Sequence, residues 1–466
     1  MYKEYAETAL KVLKKKEVDY GEVRLEEHET NGVMLKNGIP EMSGFDTMAG
    51  MGIRFFVNNS MGFVSINNFE KKKIEENIER ALKMVKEGAR IGDCVKLSSE
   101  KVCKNKYEVG QKIKLQNVGP DEQLKLLKET DSEIKRIMGR YLSLNTDVVK
   151  KYYMNTDGSK IESEIPRSYF VGLLTVKIGE RSGQRYWQRC NTGGYEYVKG
   201  WKLPEVLNEE VKAIEKNLKK GEKPPKGKLD VVVGPEVVGI MVHESVGHPL
   251  EADRILGREA AQAGESFVNE TMLGKRIGNK IVNVVDDPTV ENSAGYYLYD
   301  DEGVKARRRY LFKDGKINEF LHNRETANEM GVKSNGSARA ENFDKEPIVR
   351  MSNTFLLPGD HKDEELIKGI KNGIYIRDFT EWNIDDKRYQ QKYVASSAFL
   401  IKNGELDKPL YKPVLEITTP KLWGSIDAIG KKVVYDMATC GKAEPMQGVP
   451  VSLGGPSLRI KGIKLG

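Results

Sequence analysis

The sequence predicts an α+β fold, with a helix-and-sheet N-terminal domain followed by a larger, mostly β C-terminal domain. Its 466 residues exceed what one ordinary hydrophobic core needs and suffice for two domains that fold without disulfides or structural metals. Segments of helical and strand periodicity alternate in the first half. The second half contains several hairpin-turn signals and only short helical segments.

The first half of the chain combines amphipathic helices with strands. Apolar residues at helical spacing predict helices over residues 2–15, 70–88, 120–138 and 204–220. A strand is predicted over 20–27, and a hairpin over 50–57 and 61–66 with its turn at 58–60. Residues 141–196 are rich in strand signals, with a hairpin turn at Asp157-Gly158. We therefore expect helices to pack on a sheet here.

A polar segment over residues 221–227, rich in Pro and Gly, separates a predicted helix from a predicted strand. We place the domain boundary there, which gives domains 1–222 and 223–466. The second domain begins with a strand over 229–233 and a helix over 235–248 that has Pro235 in its first turn. Hairpins follow at Asp314-Gly315 and Asn403-Gly404, and short helices are expected within 324–330, 361–373 and 420–429.

Composition and charge exclude several classes of protein. The net charge of +7 is spread along the chain, so a nucleic-acid partner is not expected. The most apolar window, 231–242, is about twelve residues long, whereas a membrane span needs roughly twenty. The first residues contain no apolar leader, which favours a cytoplasmic protein. The cysteines Cys94, Cys103, Cys190 and Cys440 lie far apart, as expected of reduced thiols.

The segment from His243 to Pro249 contains the residues with the clearest chemical meaning, because His243 is followed by Glu244 and, five positions on, by His248. On a regular helix this spacing separates the two imidazoles by about 140°, against about 40° for a spacing of four. Gly247 tolerates unusual dihedrals, and Pro249 disfavours helical backbone at His248. We therefore predict an irregular helix, with an extra residue in its last turn that brings both rings onto one face.

Two interpretations of this segment stay open on the residues alone. In one, the two histidines are ordinary packing residues at the end of a buried helix and Glu244 lies on the surface. In the other, the imidazoles bind a metal, and the carboxylate beside them serves as a general base for water.

The pattern His-Glu-x-x-x-His followed by Pro-Leu-Glu resembles the signature of the TldD/PmbA family of metallopeptidases. Further segments resemble blocks of that family in the same order, so the resemblance spans nearly the whole chain. They are Gly52 to Phe56, Gly62 to Ser65, Asn155 to Gly158, Pro166-Arg167, Val285 to Pro288, Asp300 to Gly303, Arg350 to Thr354 and Cys440 to Lys442.

The resemblance implies that His243, His248 and Cys440 are zinc ligands and that Glu244 is the catalytic carboxylate. Two imidazoles and a thiolate suit Zn²⁺, and three protein ligands leave a fourth position for water. From the sequence alone, Cys440 is better interpreted as a buried thiol. The resemblance also implies a barrel-like curved sheet around the motif helix and a dimer, either of this chain or with a related subunit that lacks the motif.

These observations predict a zinc-dependent peptidase that hydrolyses extended or unstructured peptides with a metal-activated water and Glu244 as general base. Two alternatives remain. The first is a non-catalytic, metal-stabilised subunit that binds peptides or takes part in assembly. The second is a metal-dependent amidase that acts on a small molecule.

The sequence alone assigns no role to several further polar residues. Five carboxylates could orient the imidazoles or contact substrate, although turns are the favoured interpretation for most of them: Asp286, Asp287, Asp300, Asp301 and Glu302. Glu251 and Asp253 are equally ambiguous, and His28, His322 and His361 are expected to be surface or packing residues. Where the family often has a Gly-Gly pair, this chain has the segment Asp385 to Gln391, so substrate contacts are expected to differ there.

Overall fold

The computed structural model describes residues 2–88, 95–258 and 265–465. They form a mixed α+β fold with several sheets, one of which is curled into a half-barrel. Cys94 lies outside the described residues, whereas Cys103, Cys190 and Cys440 are free thiols, as predicted. Within the described ranges, no helix has the length and apolar character needed to cross a membrane.

The N-terminal half is built on a seven-stranded sheet with helices packed on it. Its strands are β1 Tyr20–Lys36, β2 Ile39–Val57, β3 Ser60–Ile66, β4 Lys104–Glu108, β5 Gly139–Asn155, β6 Lys160–Ile178 and β7 Arg181–Thr192. They lie in the order β3-β2-β1-β5-β6-β4, and β7 pairs with β6. Its helices are α1 Lys3–Lys15, α2 Lys71–Gly88, α3 Pro120–Glu133, α4 Glu196–Gly200 and α5 Leu203–Lys220.

Two apolar cores attach these helices to the sheet. The apolar faces of α1 and α2 cover one end of it through Leu13 and Ile78, while Leu127 of α3 and Leu207 of α5 contribute to the second core. Both arrangements follow from the helical periodicity of the sequence. The first two strands extend well beyond the prediction, because β1 pairs with both β2 and β5 over almost its entire length. Continuous backbone pairing here outweighs the weak strand signal of the polar residues.

The C-terminal half contains two large sheets and a short ribbon. One sheet has the order β17-β16-β15-β8-β22-β19, with β18 on β16, and the other has the order β11-β10-β9-β14-β21-β20, while β12 pairs with β13. The strands are β8 Lys228–Val233, β9 Val284–Asp286, β10 Arg309–Lys313, β11 Lys316–Ile317, β12 Ala338–Arg339, β13 Ile348–Val349, β14 Asn353–Leu356, β15 Asn372–Ile384, β16 Gln390–Lys402, β17 Glu405–Leu410, β18 Val414–Thr418, β19 Ile426–Ile429, β20 Val434–Lys442, β21 Gln447–Gly455 and β22 Leu458–Lys464.

The helices of this half are short: α6 Pro235–Val242, α7 Ala252–Ile255, α8 Arg324–Glu329, α9 Asp363–Lys368 and α10 Thr419–Gly424. Each lies within a predicted helical segment or overlaps one, except α7, which the sequence does not predict. Helix α6 packs against β15 of one large sheet and against β14, β20 and β21 of the other. Its residues Val237, Val238 and Met241 are fully buried in the main core of this half. The motif that follows α6 is therefore held from two sides by sheets. The predicted boundary between residues 222 and 223 falls between α5 and β8 and stays a prediction.

A fully buried ion pair ties β9 to its neighbours. Arg309 of β10 pairs with Asp286 of β9, and both side chains are inaccessible to solvent. The hydroxyl of Ser352 donates to Asp286 Oδ1 at 2.6 Å, and the hydroxyl of Thr354 donates to Oδ2 at 2.7 Å. Burial raises the pKa of Asp286, but Arg309 and these hydroxyls outweigh it and lower the pKa below its usual value.

Replacing Asp286 with alanine should reduce the free energy of unfolding by roughly 3–5 kcal/mol, because the guanidinium of Arg309 would stay buried without its charge partner. Equilibrium urea unfolding measures this. Glu222→Ala is the matched control, since Glu222 pairs with Lys408 where both side chains are more than half exposed. That variant should unfold at nearly the same urea concentration as the wild type. Equal effects of the two substitutions would contradict the argument.

Candidate metal centre

The helix that carries the two histidines changes its winding where the sequence predicts it. Helix α6 ends at Val242, residues His243–Gly247 form a π-helical turn, and residues His248–Leu250 form a 3₁₀ turn. The backbone N–H of His248 donates to the carbonyl oxygen of His243, five positions earlier. Since a π turn holds one more residue than an α turn, positions five apart lie on nearly the same face. The ring centroids of His243 and His248 are 4.8 Å apart, which confirms the predicted irregularity.

Local residues explain why the winding changes at this point. Pro249 has no backbone N–H, so the α-helical pattern cannot continue through it. Gly247 lies against the sulfur of Met351, and any Cβ at this position would overlap that atom. The hydroxyl of Ser245 donates to the carbonyl of Met241 at 2.6 Å and accepts a bond from Trp423 Nε1 at 3.0 Å. The turn is therefore fixed by packing as well as by its own sequence.

Cys440 joins the histidines from a distant part of the chain. It lies on β20, the last strand of its sheet, and its Sγ is 3.5 Å from His248 Nε2. His243, His248 and Cys440 each offer one ligand atom, and these three atoms lie within 4.8 Å of one another. All three residues are buried. The guanidinium of Arg350 bonds to the backbone carbonyl of Cys440 and so holds this part of β20 in place.

Electrostatics keep all three donors in the form that binds metal. Burial lowers the pKa of His243 and brings that of His248 well below its usual value, so both imidazoles are neutral at pH 7. Burial raises the pKa of the Cys440 thiol, but the nearby His248 and Arg350 outweigh it and bring the pKa to about 6. Neutral imidazoles and a thiolate are the states that coordinate transition metals. The donor set fits a metal such as zinc.

Glu251, which follows the motif, orients His248. Glu251 is fully buried and its carboxylate lies 2.9 Å from His248 Nδ1, which leaves Nε2 directed at Cys440. Such a carboxylate fixes the ring and its tautomer in metal sites. Lys442 reaches Glu251 at 3.3 Å and donates to Asp253 at 2.7 Å, so these acids are charge-compensated. Both ambiguous residues therefore support the site, and neither is a member of the three-donor group.

Glu244 lies beside the donors, in contact with an arginine that the sequence analysis does not assign to the site. Arg388 Nη1 donates to Glu244 Oε2, and each side chain is 5% exposed. Burial raises the pKa of Glu244, although Arg388 and His243 act to lower it. The only sequence signal for Arg388 is its position in the segment from Asp385 to Gln391, where the chain departs from the family pattern.

A cavity of about 280 Å³ opens onto these groups. One side of the cavity is lined by Glu236, Ile240 and His243, whose spacing of four and three positions places them on one face of the helix. The cavity therefore runs along α6 to the donors. The other walls come from β7, β15 and β20, and therefore from both halves of the chain. They include Arg185, Tyr186, Trp187, Gln188, Phe379, Thr380, Trp382, Asp436, Ala438, Thr439 and Gly441.

The remaining carboxylates have structural partners. Asp287 accepts from the backbone N–H of Thr289, and Asp300 accepts from those of Glu302 and Val304, which is the turn role expected of them. Asp286 is the partner of Arg309, as described above. The last two face the N-terminal sheet: Lys151 donates to Asp301 at 2.7 Å, and Arg54 donates to Glu302 at 2.6 Å.

The other three histidines lie outside the donor group. His28 is half-buried and lies 3.0 Å from a carboxylate oxygen of Glu26. His322 is buried next to the hydroxyl of Thr326, and His361 is half-buried. These positions agree with the packing roles expected from the sequence.

Comparison with known proteins matches almost the entire chain to one family. Residues 226–466 match the model of the PmbA/TldA metallopeptidase C-terminal domain, residues 113–216 its central domain and residues 21–89 its domain 1. A metalloprotease of Methanocaldococcus jannaschii is 34% identical over 451 residues, which cover 95% of this chain and 96% of that protein. A zinc metalloprotease TldD homologue of Saccharolobus solfataricus is 26% identical and covers 90% of both chains.

A solved structure shares the fold. TldE from Thermococcus kodakarensis superposes with a TM-score of 0.76 at 17% identity, covering 99% of this chain and 100% of that one. The likeness at this identity concerns the fold alone. The family models and the relative from Methanocaldococcus jannaschii agree with the resemblance seen in the motif. This chain therefore belongs to the PmbA/TldD metallopeptidase family.

Proposed function

We propose that this protein is a zinc-dependent peptidase that hydrolyses extended peptides in the cavity beside α6. The observation that supports this best is the convergence of His243, His248 and Cys440 next to the buried carboxylate of Glu244, at the wall of an open cavity. Three protein donors beside a cavity are typical of catalytic zinc sites, whereas structural zinc sites use four and are closed. The metalloprotease names of the relatives support the same reaction.

In this proposal the two imidazoles and the thiolate hold the metal. Bound zinc lowers the pKa of water and polarises a carbonyl group. Glu244 accepts the proton that the attacking water loses and returns it to the leaving nitrogen, so that one peptide bond and one water give a carboxylic acid and an amine. Glu251 keeps His248 in the required tautomer.

The walls of the cavity favour an extended substrate. Within the described part of the chain, β20 pairs only with β21 and β7 only with β6, and residues of both line the cavity. An open strand edge offers backbone N–H and C=O groups that an extended peptide can pair with, whatever its sequence. A folded domain would not fit a space of about 280 Å³.

Two further features that the sequence suggests belong to this proposal. One is assembly as a dimer, with a second copy or with a related subunit that lacks the motif. The other is a cytoplasmic location. Sedimentation analysis of the purified protein would test the first, and cell fractionation the second.

Purified protein should contain about one zinc ion per chain, because the described part of the chain brings together one set of three donors. Cys440→Ala should weaken zinc binding at least tenfold, whereas Cys103→Ala, at a thiol outside the group, should not change it. For the wild type, affinity should decrease as the pH falls below about 6, where protons compete for the Cys440 sulfur. Metal analysis and competition with a chelating dye measure these quantities. Protein that takes up no transition metal would contradict the proposal.

Glu244→Gln should retain the fold and most of the zinc but cleave an unstructured reporter peptide at least about a hundredfold more slowly, since the amide cannot accept a proton. Glu416→Gln, at an exposed carboxylate on β18, is the control and should cleave normally. Turnover is measured by mass spectrometry of the products. If Glu244→Gln with zinc bound cleaves at the wild-type rate, Glu244 is not the base. Wild-type protein that holds zinc but cleaves only small amides would favour the amidase, and no cleavage at all would favour a binding subunit.

A further inference from the structure

Arg388 is a buried cation in a tightly held turn between β15 and β16. Its backbone has φ = 63°, a left-handed conformation that is unfavourable for a non-glycine residue. Its N–H donates to the carbonyl of Asp385 at 2.9 Å, and its own carbonyl accepts from the hydroxyl of Thr419 at 2.8 Å. The turn therefore holds an unfavourable backbone conformation that places this guanidinium at the wall of the cavity, buried against Glu244.

The contact with Glu244 places Arg388 within reach of the reacting atoms. A general base must lie within hydrogen-bond distance of the water it deprotonates, and that water attacks the substrate carbonyl carbon. The carbonyl oxygen that gains negative charge is bonded to the same carbon. A guanidinium has five N–H donors in a planar fork, so it can contact Glu244 and still direct donors towards the substrate.

The charges change during the proposed reaction, and this change suits a catalytic role for Arg388. Before the reaction, Arg388 and ionised Glu244 neutralise each other in a buried site. When Glu244 accepts a proton, its negative charge disappears and the guanidinium would stay buried without compensation, which is costly. Negative charge forms at the same moment on the substrate carbonyl oxygen. An arginine aimed at that position stabilises the transition state more than the ground state.

We propose that Arg388 is a further catalytic residue, which balances the charge of Glu244 before the reaction and binds the carbonyl oxygen of the substrate as negative charge develops on it. This inference rests on the proposed peptidase function. As the water oxygen bonds to the carbonyl carbon, one O–H bond breaks, its proton moves to Glu244, and the π electrons of the carbonyl move to the oxygen beside Arg388. As the carbonyl re-forms, the C–N bond breaks and Glu244 returns the proton to nitrogen.

Phosphinic peptides test this role, because their tetrahedral, negatively charged PO₂ group resembles the species that Arg388 would bind, whereas an intact peptide does not. Arg388→Ala should weaken binding of a phosphinic peptide at least about thirtyfold, in line with the loss of one oxyanion donor. Binding of the intact peptide, measured in a Glu244→Gln background to prevent cleavage, should change less than about threefold, and zinc content should not change. Calorimetry and metal analysis provide these readouts independently of turnover.

Two variants separate charge from packing. Arg388→Lys keeps the charge but not the planar fork, and should recover part of the phosphinic affinity. Lys387→Ala is the matched control on the same turn, since Lys387 is 62% exposed and pairs with Glu265 at 3.0 Å. It should bind both ligands as the wild type does. If Arg388→Ala is too unstable to purify, Arg388→Gln, which retains a side-chain amide donor without the charge, replaces it with the same expected loss.

The outcomes distinguish this inference from the function on which it rests. Unchanged phosphinic affinity in Arg388→Ala, or equal loss of phosphinic and intact peptide, would overturn the catalytic role of Arg388 while the wild type still cleaves peptides. A wild-type protein that holds zinc but neither cleaves peptides nor binds phosphinic peptides would overturn the proposed function and the inference with it.

Discussion

The π-helical turn over His243–Gly247 is the constraint on which the rest of the site depends. Without the extra residue in this turn, the imidazoles of His243 and His248 would lie on different faces of the helix and could not bind the same metal ion. Pro249 has no backbone N–H and so cannot continue a regular α-helix. The sulfur of Met351 packs against Gly247, in the space that a side chain at that position would occupy. The sheets on both sides of α6 supply this packing, so the candidate metal centre is part of the packed core.

Burial then determines the chemistry of the groups held there. Desolvation favours neutral imidazoles, while the positive charge of Arg350 favours the thiolate of Cys440. The acids close to the donors are compensated, Glu251 by Lys442 and Glu244 by Arg388. A buried site with this many ionisable groups is stable only if its charges are paired.

The cavity arises where the two halves of the chain meet. Residues of β7 from the N-terminal sheet face residues of β15 and β20 from the two C-terminal sheets across it. The same packing brings Glu302 into contact with Arg54 and Asp301 into contact with Lys151. The carboxylates of this segment therefore act as structural links between the halves, and the shape of the cavity depends on how the halves pack together.

Local patterns in the sequence determined the helices, most of the turns and the irregular winding at His243–Gly247, because each depends on residues within a few positions of one another. The ends of β1 and β2 were not predictable in this way, since long-range pairing with β5 decided their length. Cys440 is 192 residues from His248, and only the family resemblance identified it. Arg388, 144 residues from Glu244, carried no pattern of its own. The tertiary structure alone decided that contact, because a turn held by Asp385 and Thr419 places the guanidinium in the cavity, and no periodicity or motif encodes such an approach between distant segments.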